Sequence, residues 1–213
     1  MTTVIVVRHG ESLSNLNKTF TGQWDAPLTE LGHQQAKNTA VFLKDHPIDV
    51  IYSSDLIRAI QTAEPTAESR GLAIIPDARL REIHGGDWQG RTGAVIAQMY
   101  PVDHEIWKKD IENSCPGGVE SYRDVSMRMH AFFDEVLQKH RGQSIAVFSH
   151  ALALRTMAQT WLGGEVGDDH LWMTNASVSI LEYDDDNACH VKLFSYDKHH
   201  GKDVTALSKG LTS

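Results

Sequence analysis

Short apolar runs alternate with amphipathic stretches along the chain, and this alternation predicts its secondary structure. Runs dominated by β-branched and other apolar residues, without polar alternation, are typical of strands covered on both faces of a sheet. Four such runs are residues 4–7, 50–53, 72–75 and 145–148. Two further runs flank an acidic turn and predict a closing hairpin; they are residues 177–183 and 190–196.

Helical spacing of apolar positions predicts the elements between these strands. Helices are expected at about residues 29–45, 55–70, 121–139 and 151–162, with a shorter one near 92–100. Thr29 and Asp55 stand where N-cap residues belong, because their side-chain oxygens can accept from free amides of the first turn. The alternation predicts an α/β fold, a three-layer sandwich with a mainly parallel central sheet and helices on both faces.

The length of the chain and the continuity of this pattern predict one domain over residues 1–213. Residues 79–122 are less regular, because they are rich in Gly, Trp and charge and contain two prolines. We interpret this segment as an insertion that caps the sheet rather than as a flexible linker. The chain beyond about residue 197 is polar and predicts a loose tail, in which His199 and His200 would be solvated.

Composition and charge narrow the classes of partner. Hydrophobic residues make up 41% of the 213 positions, which is enough for a packed core. A net charge of −8 argues against a nucleic-acid partner, but a local cationic pocket can still bind a small anion. Cys115 and Cys189 fit reduced thiols better than a disulfide or a zinc site. The sequence has no charged leader followed by an apolar core, and no apolar run long enough to span a membrane. It therefore predicts a cytoplasmic protein with no membrane partner. A homodimer is left open.

Charged and imidazole side chains stand where predicted strands end. Arg8 and His9 follow the first strand, and His150 follows the fourth; Arg58 opens a helix after the second. The carboxyl ends of parallel strands meet at one edge of a sheet, where open α/β folds bind their ligands. Two cations and two imidazoles at such an edge indicate phosphate chemistry. Glu82 adds a carboxylate from the segment that follows the third strand.

The order of several motifs along nearly the whole chain resembles the histidine phosphatase superfamily, also called phosphoglycerate-mutase-like proteins. The motifs are Val7-Arg8-His9-Gly10-Glu11-Ser12, Asn15, Phe20-Thr21-Gly22, Pro27-Leu28-Thr29-Glu30-Leu31-Gly32, Ser53 to Ala63, Leu80-Arg81-Glu82, Gly86-Asp87-Trp88-Gln89-Gly90, Pro116 to Ser121 and Ser149-His150. An isolated Arg-His-Gly triplet would be a weak signal, whereas the ordered set is specific.

The resemblance implies a role for each residue of the predicted site. His9 would attack phosphorus as a neutral imidazole and form a phosphohistidine. The residues implied to hold the phosphoryl oxygens are Arg8, Arg58 and His150, with Asn15, Thr21, Gly22 and Ala151 completing the anion pocket. No metal or cofactor is expected, because two guanidiniums and an imidazolium would supply the positive charge.

Glu82 is implied to be the general acid that protonates the departing alkoxide, and then the base that activates water. Glu11 and Glu120 are alternative carboxylates, but the context of Glu82 matches the family. Ala151 departs from the pattern, because relatives usually have glycine after the second histidine. Its methyl group would narrow the space for the leaving group.

Three functions fit these residues. Mutases of this family typically carry a Glu-Arg-His-Tyr-Gly stretch at the acid, whereas Glu82 is followed by Ile83-His84-Gly85-Gly86. We therefore predict an enzyme, a metal-independent phosphatase that hydrolyses phosphate monoesters of a small metabolite. The alternatives are a bisphosphoglycerate-dependent phosphoglycerate mutase and a non-catalytic phosphate-binding module. The sequence leaves the physiological ester open.

Overall fold

A six-stranded mixed sheet forms the centre of the protein. The computed structural model describes residues 1–165 and 168–201. The strands are β1 (Thr2–Arg8), β2 (Val50–Ser53), β3 (Ile74–Pro76), β4 (Ser144–Ser149), β5 (Val178–Tyr183) and β6 (Cys189–Tyr196). Their order is β3-β2-β4-β1-β5-β6, with β1 to β4 parallel and the β5–β6 hairpin antiparallel to β1. The predicted mainly parallel sheet and closing hairpin are confirmed.

Helices cover both faces of this sheet. They are α1 (Leu13–Leu16), α2 (Glu30–Leu43), α3 (Ile57–Glu68), α4 (Gly93–Met99), α5 (Pro101–Lys109), α6 (Tyr122–Lys139) and α7 (Ala151–Leu162). Because side chains alternate along a strand, Val4 and Val6 face the core shared with α6 and α7, whereas Ile5 and Val7 face the core shared with α2 and α3. The three-layer α/β sandwich predicted from the sequence is therefore confirmed.

The helix caps agree with the sequence at one position and differ at another. Thr29 caps α2, since its hydroxyl accepts from the amide of Gly32 at 3.0 Å. The prediction for Asp55 is wrong, because its carboxylate pairs with Arg81 at 2.5 Å. The first turn of α3 is satisfied instead by Asp25, whose Oδ1 accepts from the amide of Ile57 at 2.6 Å. This contact fastens the loop that precedes α2 to the start of α3.

The segment predicted as a cap contains α4 and α5, of which α5 is absent from the sequence prediction. A β-bridge between Gly85 and Val119 holds its two ends together. Gly86 in that closure has a φ of +49°, and an added Cβ would lie 2.2 Å from the carbonyl oxygen of Gly117. The turn therefore requires glycine. Buried Trp88 and half-buried Trp107 pack edge to face at 5.6 Å and join the segment to the core.

The chain continues to pack beyond residue 197. His200 is buried, and the ring of His199 stacks on Phe42 at 4.9 Å. The expectation of a loose tail with solvated histidines is therefore wrong for these residues, because Phe42 of α2 packs against His199 and the carbonyl of Ala176 accepts from His200. The rest of the expected tail, residues 202–213, lies outside the described residues. None of the described helices is both long and apolar enough to cross a membrane.

Candidate active site

The parallel pairing of β1 with β4 brings the two predicted histidines together. Arg8 lies opposite Ser149 in the register, so His9 and His150 leave the sheet side by side. The amide of His9 donates to the carbonyl of Ser149 at 2.9 Å, and the two imidazole centroids are 5.1 Å apart. Both rings are almost fully buried. The expected convergence of these two strand ends is confirmed.

His9 is held in one tautomer. Its Nδ1 lies 2.6 Å from the carbonyl oxygen of Gly10, so Nδ1 carries the hydrogen and donates it. Nε2 therefore keeps its lone pair. Burial lowers the pKa of His9 well below its ordinary value, and the charges of Arg58 and Arg8 lower that pKa further. The ring is consequently neutral at pH 7, as nucleophilic attack requires.

His150 is also neutral, but its two nitrogens are both engaged. Arg58 donates from Nε to Nδ1 of His150 at 3.1 Å, so the hydrogen resides on Nε2, which donates to the hydroxyl of Ser54 at 2.8 Å. Burial, followed by the charges of Arg58 and His9, lowers the pKa of His150 well below its ordinary value. Burial and the neighbouring charges therefore make His150 neutral in the structure, where the sequence predicted an imidazolium.

Arg8 and Arg58 supply the permanent positive charge of the site. Burial lowers the pKa of each to about 10, which leaves both protonated at neutral pH. Arg8 donates to the carbonyl of Met173 at 2.6 Å. Arg58 donates to Gly22 at 2.8 Å and to Trp24 at 2.9 Å, so it also fixes the loop after α1.

No carboxylate within salt-bridge distance neutralises either guanidinium among the described residues. Arg8 and Arg58 are nearly fully buried, and burying an unpaired charge is costly. An anion in the adjoining pocket would remove much of that cost. The charge distribution of the site therefore favours a ligand with two negative charges.

The carboxylate of Glu82 sits at the N-terminus of α7. Its Oε1 accepts from the amides of Ile83 and Ala153, both at 3.0 Å, and its Oε2 accepts from the amide of Leu152 at 3.2 Å. These bonds hold the group in the pocket that Arg8 and His9 also line. Backbone amides that lack a partner within the helix, together with the helix dipole, stabilise a carboxyl side chain at this end of α7.

The two alternative carboxylates are engaged elsewhere. Glu11 accepts from the hydroxyl of Thr29 at 2.8 Å, and Glu120 pairs with Arg128 at 2.8 Å. Glu82 is the carboxylate that faces the pocket together with the nucleophile. Arg128 also donates to the carbonyl of Glu82 at 3.0 Å, which steadies the backbone of the acid.

The other predicted phosphate ligands line the same pocket, which has a volume of about 340 Å³; they are Asn15, Thr21, Gly22 and Ala151. Asn15 accepts through Oδ1 from Ser12 and Asn175, so its amide nitrogen is left to donate. Gly22 has a φ of +52°, and an added Cβ would lie 2.4 Å from Oε1 of Gln89. Glycine is therefore required where the backbone approaches the anion pocket.

Sequence reasoning missed Arg155 and Trp172, which also line the pocket. Arg155 could have been found, because it lies four residues after Ala151 on α7 and therefore shares its face. Trp172 lies in a loop beyond α7, and no local pattern marks it. Most of the other residues that line the pocket are apolar or aromatic; they include Phe20, Trp88, Ile96, Trp107, Ile111 and Leu152.

Comparison with known proteins supports the family suggested by the motifs. The model of the histidine phosphatase superfamily (branch 1) matches residues 4–195. A protein of Yersinia pestis called probable phosphoglycerate mutase GpmB is 36% identical over 188 residues, which is 86% of each chain. These matches extend over nearly all of the described sheet and helices.

Solved structures give the same fold. YhfR of Bacillus stearothermophilus superposes with a TM-score of 0.86 at 32% identity, over 94% of this chain and 100% of that one. A mycobacterial glucosyl-3-phosphoglycerate phosphatase in complex with VO3 gives 0.79 at 30% identity, over 91% and 98%. A putative α-ribazole-5'-P phosphatase of Escherichia coli shares the fold with a TM-score of 0.84 at 23% identity, over 92% and 97%.

Proposed function

Because the chain belongs to the histidine phosphatase superfamily, branch 1, we propose that it is a metal-independent phosphatase acting on small phosphate monoesters. The observation that carries this proposal is the state of His9, which is neutral, has its hydrogen on Nδ1 and keeps Nε2 unprotonated at a pocket that Arg8 and Arg58 also line. A nucleophile beside two cations fits attack on a phosphoryl dianion.

The first chemical step transfers the phosphoryl group to the protein. Nε2 of His9 forms a bond to phosphorus as the bond between phosphorus and the ester oxygen breaks. Glu82 acts as the general acid and gives a proton to the departing alkoxide. Arg8 and Arg58 stabilise the charge on the equatorial oxygens, where it is concentrated in a loose transition state. The donor atoms for those oxygens also include the amide nitrogen of Asn15.

The second step returns the protein to its starting state. Glu82, now ionised, removes a proton from water, and the oxygen of that water attacks phosphorus. The bond between phosphorus and Nε2 breaks, and its electron pair returns to the imidazole. Inorganic phosphate leaves, and Glu82 keeps the proton needed for the next cycle. His150 orients Arg58 through their hydrogen bond at 3.1 Å.

A mutase is the second candidate, because the Yersinia relative carries the name of a probable phosphoglycerate mutase. Such an enzyme would return the phosphoryl group from His9 to a glycerate rather than to water. Steady release of inorganic phosphate without added bisphosphoglycerate supports hydrolysis. Isomerisation of phosphoglycerate that requires bisphosphoglycerate, with no phosphate release, contradicts the proposal.

The test of the nucleophile uses a chromogenic aryl phosphate. His9→Ala is expected to lower kcat/KM by several orders of magnitude, as removal of a nucleophile does in other enzymes. His190→Gln serves as the control, since this histidine is exposed on β6. Rapid quenching of the wild type is expected to show an acid-labile phosphoryl adduct that His9→Ala lacks. Equal rates for wild type and His9→Ala would refute the assignment.

The setting of this activity is part of the same proposal. We infer a cytoplasmic enzyme whose partner is a small phosphorylated metabolite rather than a nucleic acid or a membrane. The two cysteines, Cys115 and Cys189, are both free, which fits a reducing compartment. The overall charge of −8 disfavours a phosphodiester backbone as partner.

A further inference from the structure

We propose that Gln35 is a positioning residue for the nucleophile, because it polarises the peptide group that holds the hydrogen of His9 on Nδ1. This inference rests on the proposed function, since it concerns how His9 attacks phosphorus. It assigns a role to a buried side chain of α2 that lies outside the set of residues lining the substrate pocket.

One peptide group connects Gln35 to the imidazole of His9. Its carbonyl belongs to Gly10 and accepts from Nδ1 of His9 at 2.6 Å. Its N–H belongs to Glu11 and donates to Oε1 of Gln35 at 2.7 Å. Both distances are at the short end of the range for hydrogen bonds from nitrogen to oxygen. Hydrogen bonds in such a chain polarise one another, so the bond to Gln35 makes the carbonyl of Gly10 a stronger acceptor.

Gln35 reaches this peptide group because α2 begins directly against it. The carbonyl of Glu11 accepts from the amide of Thr29, the N-cap residue of α2, at 2.9 Å. A Cβ added to Gly32 would lie 2.1 Å from the same carbonyl oxygen, so only glycine allows this close approach. Gln35 follows Gly32 by three residues and therefore lies on the same face of the helix. Its side chain is only 3% exposed, which fixes the amide beneath α2.

The hydrogen bond at Nδ1 acts on the reactivity of Nε2 in the same ring. Burial is the largest influence on the pKa of His9 and lowers it, whereas the hydrogen bond to Gly10 raises that pKa. A more basic ring gives its lone pair more readily to phosphorus. As Nε2 bonds to phosphorus and the ester bond breaks, Nδ1 keeps its hydrogen and the ring gains positive charge. A polarised carbonyl of Gly10 stabilises that charge.

The two chemical steps respond differently to this contact. In the second step the bond between phosphorus and Nε2 breaks, its electron pair returns to the ring, and the positive charge of the ring is lost. An acceptor that stabilises this charge therefore speeds the formation of the phosphohistidine but does not speed its hydrolysis. Loss of the contact should lower the ratio of the two rates, whereas a general loosening of the site would slow both steps.

Quenched-flow single turnovers with 4-nitrophenyl phosphate measure both steps, as the rise and the decay of the phosphoryl adduct. For Gln35→Met we expect the rise to slow about tenfold, which corresponds to ~1.4 kcal/mol and to the loss of one hydrogen bond. The decay is expected to be at least as fast as in the wild type. Gln35→Glu keeps an oxygen that can accept from the amide of Glu11, so it should restore most of the rate of the rise.

Two controls separate polarisation of the peptide from the packing of α2. Gln34→Met makes the same substitution at the neighbouring exposed position, where the side chain pairs only with Asn38 among the described residues. Leu43→Ala loosens the same helix from the core without touching the peptide group of Gly10 and Glu11. Both variants are expected to keep the wild-type ratio of the two rates. Gln35→Asn replaces Gln35→Met if the latter does not fold, because its shorter amide withdraws the acceptor but remains polar.

NMR of the substrate-free protein with nitrogen-labelled histidines tests the same contact without turnover. In the wild type we expect a low-field resonance for the hydrogen on Nδ1 of His9, which Gln35→Met moves upfield and Gln34→Met leaves in place.

Two results overturn the proposal: an unchanged resonance in Gln35→Met, or equal slowing of the rise and the decay of the adduct. Either result assigns Gln35 only to satisfying the buried amide of Glu11. If the wild type forms no phosphoryl adduct, the proposed function fails, and the NMR comparison alone decides whether Gln35 acts on His9.

Discussion

Replacing Glu82 by glutamine tests the two roles of this carboxylate separately. Glutamine has nearly the same shape, and its remaining carbonyl oxygen can still accept from Ile83 and Ala153 at the positions now 3.0 Å away. Its amide nitrogen would instead meet the amide of Leu152, a donor that the carboxylate accepts from at 3.2 Å. The substitution therefore removes the proton and one hydrogen bond while the pocket keeps its volume.

The expected loss depends on the leaving group. For an alkyl phosphate, removal of the general acid should lower kcat by roughly 10²–10⁴-fold, or about 3 to 5 kcal/mol of activation free energy. For 4-nitrophenyl phosphate the departing phenolate needs little protonation, so transfer to His9 should be nearly unaffected. Hydrolysis of the phosphohistidine still needs the base, and the variant should therefore accumulate the phosphorylated protein.

Rapid-quench kinetics measure this difference directly. With 4-nitrophenyl phosphate, Glu82→Gln is expected to release close to one equivalent of nitrophenol in a burst that a slow steady state follows. Glu105→Gln is the control, because this carboxylate is exposed on α5. Equal losses for alkyl and aryl esters, without a burst, would show that Glu82 supports the fold of the site rather than moving protons.

Three further outcomes follow from the charges and caps of the structure. Because burial lowers the pKa of His9 and His150, the unfolded chain binds more protons than the folded one below about pH 6.5. The free energy of unfolding should therefore decrease as the pH falls below about 6.5, by up to ~1.4 kcal/mol per pH unit for each histidine. His150→Asn should flatten this slope in urea titrations. Inorganic phosphate at about 100 times its Kd should stabilise the protein by about 2.7 kcal/mol, or roughly 5–10 °C in Tm, and Arg8→Met should abolish most of that shift in differential scanning fluorimetry. Asp25→Ala should cost about 1 kcal/mol of unfolding free energy, since it removes the acceptor for the amide of Ile57; an unchanged urea midpoint would contradict that role.

The layers of the fold could be predicted from the sequence, because the spacing of apolar residues differs between its strands and its helices. A run such as Val4 to Val7 is apolar at every position, and the structure shows the reason, since alternate side chains enter two separate cores. The convergence of His9 and His150 followed from the same pattern, because parallel neighbours end at one edge. These predictions needed no knowledge of side-chain contacts.

The sequence-based predictions were wrong where a residue distant in the sequence determines the hydrogen bonding or the ionisation of a side chain. Asp55 has the right place for a cap, but the guanidinium of Arg81 competes for its carboxylate and Asp25 takes over the amide of Ile57. The ionisation of His150 depends on its burial and on the charge of Arg58, which lies 92 residues away in the sequence. A local pattern contains neither contact, so both predictions required the tertiary structure.

Burial leaves the imidazoles of the site neutral and its guanidiniums charged, because the ordinary pKa values of the two groups differ. It penalises the charged form of the imidazoles and of the guanidiniums alike. A histidine begins near pH 6.5 and therefore becomes neutral, whereas each arginine falls only to about 10 and stays charged. A lysine begins about two pH units below arginine, so a similar lowering would bring it close to neutrality. Arginine is thus the cation that can share a dry pocket with a neutral nucleophile, and this pairing is what in-line attack on a phosphoryl dianion demands.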